Sequence, residues 1–175
     1  APVSTFEAPV YTSISMDGKV RLGFHQVTRQ EGNNTLEDYA SNARGMNVIV
    51  PTWFNVVSGD GTYTSLASRD YVDKAHDMGL KVWAMVENVS TEESVKNLNT
   101  KTLMSSTSTR KKLIEKLMNE ADTYGFDGFN LDFESLKAEA GPHYVQFIRE
   151  MSVACRNKGL VLSVDNYVPS SYTAF

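Results

Sequence analysis

An α/β fold of the (β/α)8 TIM barrel type, with only about the first five β/α units present in this chain, is what three features of the sequence predict. Helix-periodic segments alternate with short runs rich in Val, Ile, Leu and aromatics. Each helical segment stops at a glycine: Gly45, Gly79, Gly125 and Gly159. The expected strand centres, from Phe24 to Val164, recur about every 35 residues, and eight such units would reach the length of a closed barrel of roughly 250 residues. Strands alternating with helices of this length imply right-handed crossovers and a parallel sheet. A five-stranded doubly wound sheet is the structural alternative. It usually carries a glycine-rich phosphate loop after its first strand, and HQVTRQEGNN is not one.

Element by element, residues 1–18 contain two prolines and no sustained period, and read as an extended leader or linker; residues 19–175 read as the N-terminal part of the barrel domain. VRLGFHQV, from Val20, is the first expected strand. Leu36, Tyr39, Ala40 and Ala43 then fall at helical spacing behind Asn34 or Thr35 as cap, with Gly45 suited to the left-handed position that ends a helix. NVIVPTWF follows as the second strand. Ser68 caps a helix carrying Tyr71, Val72, Ala75 and Met78 on one face, Gly79 stops it, and LKVWAMVEN continues extended. Leu113, Ile114, Leu117, Met118, Ala121 and Tyr124 line a longer helix that ends before FDGFNLDFE. The last helix starts near Pro142, buries Phe147, Ile148, Met151 and Cys155, and precedes LVLSVDNYV.

Composition narrows the function. With 17 basic and 21 acidic residues the net charge is −4, which argues against a nucleic-acid partner. No apolar run approaches the roughly 20 residues of a membrane span, and the start shows no basic segment followed by an apolar one. The single cysteine, Cys155, excludes an internal disulfide, and its apolar helix face suits a core thiol. Two Asn-x-Ser/Thr matches, at Asn33 and Asn88, do not fix a compartment. Arg110, Lys111 and Lys112 read as a solvated face. No HxH or HExxH spacing occurs, so no metal and no cofactor are expected.

The chemistry concentrates in FDGFNLDFE. Residues two apart share a face of a strand, which puts Gly128, Asn130, Asp132 and Glu134 on one side and Phe129, Leu131 and Phe133 on the other. Two carboxylates and an amide pointing into a barrel lose hydration and must find partners or shift their pKa values; the plain alternatives are a solvated edge strand or an internal salt-bridge cluster. Asp132 and Glu134 are separated by roughly 6.6 Å of strand rise, so they can share a proton and titrate as a pair. Glu134, nearest the C-terminal end of its strand, would stand at the barrel mouth, where active sites of this fold lie. It is the natural general acid.

DGFNLDFE resembles the DGxDxDxE signature of the family 18 glycoside hydrolases, chitinases and their relatives, which occupies the fourth strand of a (β/α)8 barrel, the strand position it holds here. PTWF, KVWAMVEN, NLDFE and LSVDNYVP together resemble the bacterial branch of spore-cortex and cell-wall N-acetylglucosaminidases, over about Val20 to Phe175. The resemblance implies that Glu134 protonates the glycosidic oxygen. Asp132 would turn toward it or toward the substrate acetamido group, and Asn130 stands where most chitinases have an aspartate. It implies substrate-assisted retention on N-acetylglucosamine glycans, and a secreted, wall-associated or spore-associated protein. Asp127, of opposite parity, reads as structural.

Sugars need aromatic platforms and hydrogen-bonding groups. Trp53, His25, Gln26, Asp165, Asn166 and Tyr167, at strand ends, are the candidate substrate contacts; Glu87 and Asn88 end the third strand, where the SxGG pattern of many chitinases is absent. Core packing is the competing role for Trp53, and a structural one for His25. A non-catalytic glycan-binding domain on the same barrel is the alternative function, and a metal enzyme using Asn130, Asp132 and Glu134 as ligands is a third. In the family the sixth strand supplies a tyrosine that holds the acetamido group. Five units also leave open strand edges. A second copy, a second fragment or further chain beyond Phe175 is therefore expected to complete the barrel.

Overall fold

The computed structural model describes residues 14–88 and 93–166. Its elements are β1 (Leu22–His25), a short 3-10 helix (Gln30–Thr35) running into α1 (Leu36–Asn42), β2 (Val48–Pro51), β3 (Phe54–Val56), β4 (Tyr63–Ser65) and α2 (Arg69–Asp77). There follow β5 (Lys81–Asn88), α3 (Glu93–Ser105), α4 (Thr107–Tyr124), β6 (Gly128–Asp132), α5 (Gly141–Lys158) and β7 (Val161–Val164).

Parallel pairing runs β1–β2–β5–β6–β7, so each crossover joins neighbouring strands in sequence order. There is no point at which the order reverses. Right-handed crossovers taken always in one direction put every helix on the same face, which is barrel construction and excludes the doubly wound alternative. Residues 14–21 form neither helix nor strand, yet Met16 packs with Val48, Val50, Trp83 and Met85 on the face away from the helices.

The second expected strand is interrupted. Ile49 pairs with Val82 and Phe54 with Val86, so five residues of one strand oppose four of the other, a one-residue bulge around Thr52 and Trp53. β3 then turns back through a tight loop to the antiparallel β4. Val57 N–H bonds the Thr62 carbonyl and Gly61 sits at φ +78°, a conformation glycine adopts without Cβ strain.

The helix-facing core is aromatic. Trp53, Phe54, Tyr71, Phe126 and Phe129 interlock at ring distances of 5.0 to 6.4 Å, each burial contributing about 2–3 kcal/mol. α2 and α4 start at serines whose hydroxyls accept from Tyr71 and Thr109 N–H, and α4 and α5 end at left-handed Gly125 and Gly159. Thr35 departs from the expected pattern: its hydroxyl donates to the Gly32 carbonyl and does not cap α1. Arg110 also departs from the solvated reading. It is buried, with its guanidinium on both Glu150 oxygens at 2.9 Å and on the Met104 carbonyl, while Lys111 and Lys112 are exposed. Cys155 is a core thiol, pushed up to about 12 by burial. Among the described residues no helix is long and apolar enough to cross a membrane.

Candidate active site

β6 keeps the expected two-sided sorting. Phe129, Leu131 and Phe133 lie in the helix-facing core, and register carries Gly128, Asn130 and Asp132 onto the opposite, interior face beside Trp83, Met85 and Glu87 of β5. That face grades from apolar to acidic along the strands: Leu22, Val48, Val50 and Trp83 at one end, Asn55, Glu87 and Asp132 at the other. Gly128 is required here, since a Cβ would stand 2.5 Å from the Val161 carbonyl oxygen and 2.9 Å from the Trp83 ring.

Asn130 is 1% exposed. Its Nδ2 donates to Ser163 Oγ at 2.8 Å and to Asp165 Oδ1 at 3.3 Å, and its Oδ1 has no protein partner. Burial, then the charges of Glu134 and Asp165, push the Asp132 carboxyl above its ordinary range, with Lys96 opposing. Burial, then Asp132 and Glu134, do the same to Glu87. The proton affinity therefore accumulates at the C-terminal rim. Glu134 follows the strand, its side chain 54% exposed with Oε2 at 3.5 Å from Lys96 Nζ. Ser135, next along, holds φ at +56°, a strained position for a residue with a Cβ, costing about 1–2 kcal/mol.

Of the expected substrate contacts, the structure brings Gln26 to this rim: it is exposed and lines an open groove of about 420 Å³ with Val27, Thr28, Thr52, Asn55 and Glu87. Asp165 is half-buried beside Asn130, and Asn166, exposed, follows it. Tyr167 lies outside the described residues. Two expectations need correction. Trp53 is 0% exposed, with its indole N–H on Asn33 Oδ1 at 2.8 Å and its ring edge on Tyr71; it offers no surface to a sugar. His25 is buried in a stack with Tyr39 and Tyr71 on the helix side. Both its nitrogens are spent, on Tyr71 Oη at 2.8 Å and Thr35 Oγ1 at 2.9 Å. Because the Thr35 proton goes to Gly32, Nε2 must donate and Nδ1 accept, a neutral ring that burial favours.

Phe24, by contrast, is on the interior face opposite Val50 and 47% exposed; its parity with Leu22 was the available signal. Lys96 was not legible from its surroundings in sequence. Asp127 is structural: although burial pushes its carboxyl up, Lys81, the Val82 N–H and His76 together outweigh burial and hold it low. Both Asn-x-Ser/Thr asparagines are buried with their amides engaged. Among the described residues no three His, Cys, Asp or Glu side chains are grouped to hold a metal ion.

A family model described as "Glycosyl hydrolases family 18" matches residues 16–172. Comparison with curated proteins finds no match. Among solved structures, the Bacillus cereus spore cortex-lytic enzyme SleL superposes with a TM-score of 0.69 at 18% identity, covering 82% of this chain and 34% of that one. A chitinase from Chromobacterium violaceum ATCC 12472 gives 0.65 at 19%, covering 84% and 45%, and a chitinase from Bacteroides thetaiotaomicron 0.65 at 17%, covering 83% and 46%. At these identities the likeness is one of fold. The chain spans less than half the length of each.

Proposed function

The chain belongs to family 18 of the glycosyl hydrolases, and on that premise we propose that it carries the acid half of a glycosidase site cleaving N-acetylglucosamine glycans of the peptidoglycan, cortex or chitin type. The carrying observation is the interior face of β6, where Asn130 and Asp132 point away from the helix-facing core and Glu134 continues past the strand, its charge acting on Glu87 of the groove lining. In the reaction, the carbonyl oxygen of the substrate's 2-acetamido group attacks the anomeric carbon, Glu134 gives its proton to the departing glycosidic oxygen, and an oxazolinium ion forms. Water then opens that ring at the anomeric carbon while Glu134 takes the water's proton, so configuration is retained. This is the acetamido exception to the two-carboxylate scheme, and it needs no second carboxylate as nucleophile.

Asp132 is suited to orient the acetamido group, because a carboxyl held above its usual range keeps its proton to higher pH and can donate it in a hydrogen bond. Asn130 supports this electrostatically as a neutral amide one side-chain repeat back along β6, donating to Asp165. Gln26, Asp165 and Asn166 are the proposed sugar contacts, with Tyr167 beside them in sequence. Residues 19–175 act as the N-terminal part of a barrel whose remaining strands come from further chain, a second copy or a second fragment. The likeness to SleL, a spore cortex-lytic enzyme, supports a site of action at the wall or spore, outside the cytoplasm.

The experiment compares N-acetylated with de-N-acetylated glucosamine oligomers as substrates of the full-length protein. Hydrolysis of the first alone, at least a hundredfold faster, is expected, since the second lacks the internal nucleophile. Equal rates would overturn acetamido participation, and tight binding without cleavage would make the domain a glycan binder.

A further inference from the structure

The last rung between β5 and β6 joins Glu87 to Asp132, so Glu134 lies beyond the ladder, where its main-chain groups have no strand to pair with. One buried side chain takes both. Asn88 Oδ1 accepts from the Glu134 N–H at 2.9 Å, and Asn88 Nδ2 donates to the Glu134 carbonyl at 3.0 Å. The second amide proton goes to Thr100 Oγ1 at 2.9 Å, and the Thr100 hydroxyl passes its own to the Lys96 carbonyl at 2.9 Å. Flipping the amide would set N–H against N–H and oxygen against carbonyl, so the three bonds fix its orientation. A side-chain amide has the donor and acceptor of a peptide unit. Here it continues the sheet by one rung beside the residue whose carboxyl must be aimed.

We propose that Asn88 is a positioning residue for the general acid, clamping the main chain at Glu134 and, through Thr100, tying it to the α3 turn that sets Lys96 against the Glu134 carboxylate. This rests on the reading of Glu134 as the acid. Few side chains meet these demands. Aspartate at 88 would oppose an oxygen to the Glu134 carbonyl and add a charge beside Glu87. Alanine makes none of the bonds. Glutamine adds a methylene where the Asn88 side chain is already buried, at 5% exposure. The strained Ser135 on the far side makes such a clamp necessary, because an unclamped segment would relax away from positive φ.

The test uses the full-length protein with Asn88→Ala, Asn88→Asp and Thr100→Val, assayed on N-acetylglucosamine oligomers with melting temperatures measured in parallel. Misplacing a catalytic group by about 1 Å can cost a hundredfold. Asn88→Ala and Asn88→Asp are therefore expected to lower kcat about 10- to 100-fold with KM within about twofold, and Thr100→Val about threefold. The kcat pH profile should also move in Asn88→Ala, because Lys96 on α3, Glu87 on β5 and Asp132 on β6 are the charged groups facing Glu134, and their spacing to it changes. Folded Asn88→Ala with wild-type kcat and pH profile overturns the proposal. Should Asn88→Ala not fold, wild-type kcat and pH profile in Thr100→Val do so instead. Glu134→Gln run alongside separates the two readings: its inactivity with wild-type behaviour at position 88 removes the clamp alone, whereas activity in Glu134→Gln removes the acid and the clamp together.

Discussion

The two ends of β6 carry carboxylates with opposite fates. Asp127, before the strand, receives Lys81 Nζ at 2.8 Å, His76 Nε2 at 2.7 Å and the Val82 N–H at 2.9 Å. Asp132, at the other end, faces Glu87, Glu134 and Asp165, with Lys96 opposing them. Four residues separate a carboxylate that is thoroughly satisfied from one that burial and like charge penalise. The interior face follows the same gradient from apolar to acidic. In barrels the N-terminal end serves stability and the C-terminal end chemistry, and the contrast between these two carboxylates runs in the direction that the proposed site requires.

The largest effect that could break this contrast is at Asp127. Asp127→Ala strands the Val82 N–H, the Lys81 ammonium and the His76 ring nitrogen, and should cost about 2–3 kcal/mol with little change in kcat, as read by denaturant melts beside kinetics. Its pH dependence has a defined sign. A carboxyl held low contributes stability that is fully present above the unfolded value of about 3.9 and is lost as pH falls through the lower folded value.

Asp132 behaves in reverse. Its folded value is raised, so ionisation weakens the fold as pH climbs past about 3.9 and through the higher folded value. Asp132→Asn should lower kcat about a hundredfold and still raise the melting temperature at pH 7 by about 1–2 °C, the raise vanishing at pH 3. A variant both inactive and less stable at pH 7 would count against stored electrostatic strain at this rim.

The smallest effect is at Ser135. Ser135→Gly removes the Cβ from a positive-φ position and should stabilise by about 0.5–1 kcal/mol, measured by the same melts. Destabilisation would mean that the serine side chain earns its place through a contact and not in spite of strain.

Much of this was legible in the sequence, for identifiable reasons. Gly45, Gly125 and Gly159 adopt the left-handed conformation their spacing implied, and the alternation in FDGFNLDFE sorted β6 because its two faces differ sharply in polarity. α3 was not legible: ESVKNLNTKTLMS is rich in Ser, Thr and Asn, residues that favour turns, and it is tertiary packing of Leu103 and Met104 that holds it. His25 does end β1, whereas Trp53 sits in the bulge between β2 and β3, and both were assigned to the wrong surroundings. Apolar neighbours on both sides leave a strand's facing undetermined, and the bulge at Thr52 has no sequence marker. The roles of Lys96 and Asn88 depend on contacts across 38 and 46 residues, which no local period encodes.

Turnover of N-acetylglucosamine oligomers by full-length Glu134→Gln is the measurement that bears most directly on the C-terminal rim as the acid site. Gln keeps the shape and removes the transferable proton. The account predicts kcat lower by about a thousandfold or more, KM within about threefold and an unchanged melting temperature. Turnover within about tenfold of wild type, from a folded variant, would contradict it.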